Sequence, residues 1–195
     1  MTAENRHIQV VVAYDFTTTA EQALLRAVEV ACRAPQHALH VITTIDPREG
    51  VTAMPTKKVD WEYAEQVQNT LAERIKLAFA GRPSVSEVQF FAHARIGKKP
   101  AEEILTLCKE VGADLVFIGS HGSTGLERLM LGSVSERVVR EAKCPVMVVR
   151  AKTYEDVDLM NVFKYEHERK PYTGPHKYSY AGRAEVTRPN DWPIS

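Results

Sequence analysis

Short runs of β-branched and aliphatic residues alternate along the chain with longer stretches in which apolar residues recur every three or four positions. The first run, residues 8–14, ends at Asp15. Thr17 to Thr19 can cap a helix whose apolar stripe is Ala23, Leu24, Ala27, Val28 and Ala31, and Pro35 stands just past its end. Residues 39–45 read as a second strand closed by Asp46-Pro47. A polar loop then leads to a long helix with Ala64, Val67, Leu71, Ile75 and Ala78 on one face, stopped by Gly81-Arg82-Pro83. A third strand is expected at residues 85–92, its partial alternation suiting a sheet edge. Gly97-Lys98-Lys99-Pro100 opens the next helix, with the stripe Ile104, Leu105, Cys108 and Val111 and a stop at Gly112.

Residues 115–118 are apolar throughout, as in a central parallel strand buried on both faces. A helix over about 133–142 and a last strand at 146–149 complete the repetition. Five strands separated by helices imply right-handed crossovers and an α/β fold: one doubly wound parallel sheet with helices on both faces. Ligands of such sheets sit beyond the carboxyl ends of the strands, where the strand order reverses. The first and fourth strands are the expected pair, with Asp15 and Gly119 at their ends.

The alternation stops near Arg150, so residues 1–151 read as the domain and 152–195 as an irregular C-terminal extension. One helix is possible there, over residues 154–168, before Pro171, Pro175 and Pro189 disfavour regular structure. Its aromatics, among them Tyr154, Phe163, Tyr172 and Trp192, are too many for a typical disordered segment. They suggest a strap that packs on the domain, on a second subunit or on a protein partner.

At 195 residues the chain suits one well-buried domain better than two. Its formal net charge of zero gives no general pull toward nucleic acid or an anionic membrane surface. No apolar run approaches the ~18 residues of a membrane span. The polar first residues lack the layout of a secretory signal. Cys32, Cys108 and Cys144 share no C-x-x-C spacing, which argues against a disulfide framework or thiolate zinc and for a reducing, cytoplasmic setting. Nor do His37, His40, His93, His167 and His176 have ligand spacing, so no metal is assigned to them.

The chemistry is expected after the fourth strand, in Gly119-Ser120-His121-Gly122, Gly125 and the run from Gly132-Ser133 to Glu136. Gly119 and Gly122 let the backbone turn tightly and approach a ligand without a Cβ in the way. Gly132 and Ser133 open a helix, whose unpaired N–H groups and positive dipole end attract an anion. The bland reading of Ser133 to Glu136 is an S-x-x-E capping box, and both roles can coexist. Neither a P-loop nor a G-x-G-x-x-G after the first strand is present.

The pattern Gly119-x2-Gly122-x9-Gly132-Ser133, with Cys144-Pro145-Val146-Met147-Val148-Val149 closing the stretch, resembles the universal stress protein family over roughly residues 6–151. The resemblance implies a sheet ordered 3-2-1-4-5, a homodimer through the last strand, and ATP or another adenine nucleotide as ligand, with Mg or Mn on its phosphates. It places Ala13 and Asp15 at the ligand, Asp15 on the ribose or the metal. Val41 would meet the adenine through its backbone, and Gly119 would lie near the ribose. Gly122, Gly132, Ser133, Val134 and Ser135 would surround the phosphates. The chain departs from the family at Asp15-Phe16-Thr17, where Asp-Gly-Ser is usual, and so loses a flexible position beside the ligand.

Other residues keep two readings. Arg128 reaches the phosphates or faces solvent. Lys98 and Lys99 form a solvated helix start or contact the ligand across the crevice. His121 shapes its loop or serves as a general base. The expected function is a cytoplasmic, regulatory ATP-binding module. The alternatives are a slow ATPase at the same site, for which no Walker-type lysine is present, and a dimeric scaffold that binds no nucleotide.

Overall fold

The computed structural model describes residues 7–33, 36–80, 88–121 and 131–150. Their elements run β1 (Ile8–Ala13), α1 (Thr18–Ala31), β2 (His37–Ile45), β3 (Gly50–Val51), β4 (Met54–Pro55), α2 (Trp61–Phe79), β5 (Gln89–Ile96), α3 (Pro100–Val111), β6 (Leu115–Gly119), α4 (Ser133–Glu141) and β7 (Val146–Val149). The sheet is ordered β5-β2-β1-β6-β7, and every neighbouring pair is parallel. With the small β3–β4 hairpin set aside, this is the expected 3-2-1-4-5 order.

Period-two alternation in the central strands divides the core into two layers. Val10, Val12 and Phe117 point toward α1 and α2, where they meet Leu24, Ala27, Val28, Leu71 and Ile75. Val11, Ala13, Val116 and Ile118 point the other way, onto Ile104 and Leu107 of α3 and Val138 of α4. Each such side chain taken fully out of water contributes roughly 1.5–3 kcal/mol. Local signals place the helix starts: the Thr17 side chain accepts from Ala20 N, Asp60 accepts from Tyr63 N at 3.0 Å, and Pro100 stands at the start of α3.

The edge strand, the loop after β2 and the buried face of α3, which carries Leu107 where Leu105 was expected, differ from the sequence expectation. The edge strand β5 spans Gln89–Ile96 rather than 85–92, because it pairs with β2 from Ala38↔Gln89 through to Ile45↔Ile96. The polar loop after β2 contains the antiparallel β3–β4 hairpin. The expected helix stop at 81–83 and the whole extension from 152 lie outside the described residues. Among the described residues no helix is long and apolar enough to cross a membrane. None of the three cysteines is in a disulfide, and burial pushes the Cys108 thiol up to about 12, which leaves it a small core side chain.

A histidine pair lies on the α3 side of the sheet. His40 Nε2 is 2.8 Å from Gln9 Oε1, and His40 Nδ1 is 3.1 Å from His93 Nε2. Because the Gln9 oxygen only accepts, His40 donates to it from Nε2 and accepts at Nδ1 from the His93 N–H, an arrangement that needs the His40 ring neutral. The His40 ring also stacks on Phe91, 4.7 Å between centroids. Burial lowers both histidines, His93 to about 4, with neighbouring His40 and Arg95 adding to the effect and Glu110 opposing it. The unfolded chain therefore binds more protons than the native one below the ordinary histidine range. Stability should hold above pH 6.5 and fall as pH drops from 6.5 toward 4, by about 1–2 kcal/mol once solvent screening at the half-exposed His93 is allowed for. Thermal melts of the native chain and of His93→Gln across that range check this. An equally steep fall in the variant would remove the pair as its cause.

Candidate functional site

The strand order reverses between β1 and β6: β1 pairs with β2 on one side and β6 on the other. The chain leaving these two strands diverges to opposite faces and opens a crevice at their carboxyl ends. A cavity of about 300 Å³ occupies it. Ala13 and Asp15 line it from the end of β1, Gly119 from the end of β6, and Gly132, Ser133, Val134 and Ser135 from the start of α4. Seven sequence-expected site residues thus converge on one cavity. Val41 does not line it: fully buried on the α1 and α2 side, it leaves the β2 wall to Ile42, Thr43 and Thr44. Gly122 and Arg128 lie outside the described residues.

The turn after β1 is tight. Asp15 Oδ1 accepts from Thr17 N at 3.1 Å and from the Thr17 hydroxyl. Phe16 between them takes φ 65°, a left-handed backbone that glycine adopts freely and a bulky residue rarely does. The chain keeps this glycine-like turn with a phenylalanine, whose ring packs against the buried clusters on the α1 and α2 side and sits edge-on to Tyr14 at 5.0 Å. Tyr14, buried itself, donates to Glu21, and burial together with that carboxylate holds its phenol well above the usual tyrosine range.

Two hydrogen bonds pin the start of α4 to the end of β6. Gly132 N donates to Ser120 O and the Ser135 hydroxyl donates to Gly119 O, each at 2.8 Å. The helix therefore begins one residue earlier than a capping box requires. Gly132 is the cap, no side chain caps it, and Glu136 reaches forward to Arg140 at 3.2 Å. The first helical bond is Glu136 N to Gly132 O, so the N–H groups of Ser133, Val134 and Ser135 precede it. The Ser135 hydroxyl is committed to Gly119, which leaves its backbone N–H as the group it can offer a ligand. The carboxylate of Glu136 does not fill the place of an anion.

Gly119 has a structural reason beyond ligand approach. A Cβ there would stand 2.8 Å from Thr19 Oγ1 and 3.0 Å from Ala20 N and Thr19 C, so the first turn of α1 lies directly against the end of β6. The Thr19 hydroxyl closes the contact by donating to His121 O at 2.7 Å. His121 also lines the crevice, with Nδ1 2.8 Å from Ser120 Oγ.

The hairpin wall was not foreseen. Gly50, Val51 and Thr52 line the crevice, and Tyr63 of α2 holds them there: its hydroxyl accepts from Val51 N at 2.8 Å and donates to Met54 O. Gly50, at φ 78°, lies so close to this hydroxyl that a Cβ would run into it. Asp46 closes the base of the hairpin through paired backbone bonds with Gly50, and the Arg48 guanidinium holds its carboxyl below the usual range. A glycine soon after Asp46-Pro47, with Tyr63 one helical turn into α2, was the available signal. Among the described residues no group of three or more His, Cys, Asp or Glu is placed to hold a metal.

A model of the universal stress protein family matches residues 8–150. A universal stress protein of Methanocaldococcus jannaschii is 33% identical over 153 residues, covering 71% of this chain and 91% of its own. Among solved structures, universal stress protein UspA of Lactobacillus plantarum superposes with a TM-score of 0.56 at 23% identity, over 74% of this chain and 99% of its own. A universal stress protein of Archaeoglobus fulgidus in complex with dAMP gives 0.52 at 23% identity, over 73% and 97%.

Proposed function

The chain belongs to the universal stress protein family, and on that premise we propose that its crevice binds an adenine nucleotide, ATP in the first instance, with the phosphates at the start of α4. The observation that carries this reading is the uncapped run Ser133, Val134 and Ser135 on the crevice wall, where three N–H groups and the helix dipole converge on one spot. The dipole alone is worth only about 0.3–1 kcal/mol per charge, so the N–H groups supply most of the affinity. Asp15, at the end of β1, has a carboxylate suited to a ribose hydroxyl or to Mg or Mn carried on the phosphates. The relative solved with dAMP supports the adenine class of ligand.

In this reading the protein is a cytoplasmic regulatory module that passes its nucleotide state to a partner. It pairs with a second copy through β7, the outer strand of the sheet, where Met147 is 45% exposed. Native mass spectrometry of the gently purified chain tests both parts at once. The expected species is a dimer carrying the mass of an adenine nucleotide on each subunit, released as ATP on denaturation. A chain that holds no nucleotide and takes none up from millimolar ATP would refute the site. A monomer at every concentration would refute the pairing.

A further inference from the structure

We propose that Lys98 makes this crevice prefer a nucleotide with a polyphosphate chain over a monophosphate, an inference that rests on the nucleotide reading above. Lys98 lies in the short connection between β5 and α3, held by the bond from Gly97 N to Ile45 O at 2.9 Å, and it lines the cavity. The neighbouring cations on this side are already engaged. Lys99 pairs with Glu102 at 2.9 Å, and Arg137 pairs with Glu102 and Glu141 at 3.1 Å each. Among the described residues Lys98 has no ion pair, and it is the one lysine or arginine that lines the cavity.

Its place suits a phosphate chain. Helices α3 and α4 both follow parallel strands, so both start at the carboxyl edge of the sheet, and the Glu102–Arg137 pair fastens the first turn of α3 to α4. Pro100 and Ile104 of α3 share the cavity with Ser133 to Ser135. A phosphate at the start of α4 is thus within the range of a flexible lysine on the adjoining wall. The remaining lining charges are the carboxylates of Asp15 and Asp46. The Arg48 guanidinium already balances Asp46 at 3.2 Å, so without Lys98 the described wall carries the Asp15 carboxylate and no lysine or arginine, a field that opposes a triphosphate more than a monophosphate.

Isothermal titration with ATP and with AMP, on the native chain, Lys98→Ala, Lys98→Arg and Lys99→Ala, tests this. Lys98→Ala should weaken ATP about tenfold and AMP less than about twofold, a size set by one partly exposed charge facing a multiply charged anion. Lys98→Arg should recover most of the ATP affinity, and Lys99→Ala should resemble the native chain. Lys98 is exposed, so its variants should melt with the native protein. If the native chain binds ATP but Lys98→Ala weakens ATP and AMP equally, or neither, the Lys98 proposal falls while the nucleotide reading stands. A native chain that binds neither nucleotide overturns both.

Discussion

Replacing Gly119 by valine should destabilise the domain by about 3 kcal/mol, which for a domain of this size lowers the melting temperature by roughly 6–12 °C. The obstacle is backbone. The Cβ would press on Thr19 C and Ala20 N at 3.0 Å, atoms fixed in the first turn of α1, and no side-chain rotation relieves that contact. Either α1 or the end of β6 must move. Moving α1 disturbs the Thr17 cap and the Thr19–His121 bond, while moving β6 stretches the bond from the Ser135 hydroxyl to Gly119 O. Losing one such bond costs about 1 kcal/mol beyond the overpacking. The substitution should therefore weaken ligand binding as well, since Asp15 and the start of α4 are positioned by the two elements it pushes apart. Urea denaturation measures the stability loss. A midpoint equal to that of the native chain would show that α1 does not rest on β6 as described.

What was legible in the sequence is what local pattern controls. Val10 to Val12 and residues 115–118 announce central strands because burial on both faces leaves no polar positions, and the alternation of strand and helix dictates parallel pairing. Gly132 to Ser135 could be placed on the crevice because a helix start after a central strand has only one place to go. Long-range contacts were not legible. The reach of β5 to Ile96 follows from the length of β2, which lies far away in the chain. The register of α4 depends on Ser120 O and Gly119 O accepting from its first residues, so the S-x-x-E spacing suggested a capping box that the helix does not form. Phe16 looked like the loss of a glycine position, yet its ring packs well enough to keep the left-handed turn. The crevice wall made by Gly50 to Thr52 depends on the Tyr63 hydroxyl, a contact no local pattern specifies.

In the proposed site backbone N–H groups at the start of α4 hold the phosphates, and Ser133→Pro removes one of them with little disturbance of the fold. Ser133 is the first residue of α4, where proline is favoured because its missing N–H has no helical partner. Gly132 before it already has φ −64° and ψ 151°, the extended conformation that a residue preceding proline requires. The substitution thus removes one N–H donor and the exposed Ser133 hydroxyl while leaving the helix in place, and Ser133→Ala removes the hydroxyl alone. A hydrogen bond to a charged group is worth about 1.5–3 kcal/mol, so losing the N–H should weaken ATP tenfold or more. The melting temperature without ligand should stay close to that of the native chain. Isothermal titration of ATP into native, Ser133→Ala and Ser133→Pro protein is the decisive measurement. A tenfold or larger loss confined to Ser133→Pro is the predicted result, and equal affinity in all three would contradict a phosphate site at the start of α4.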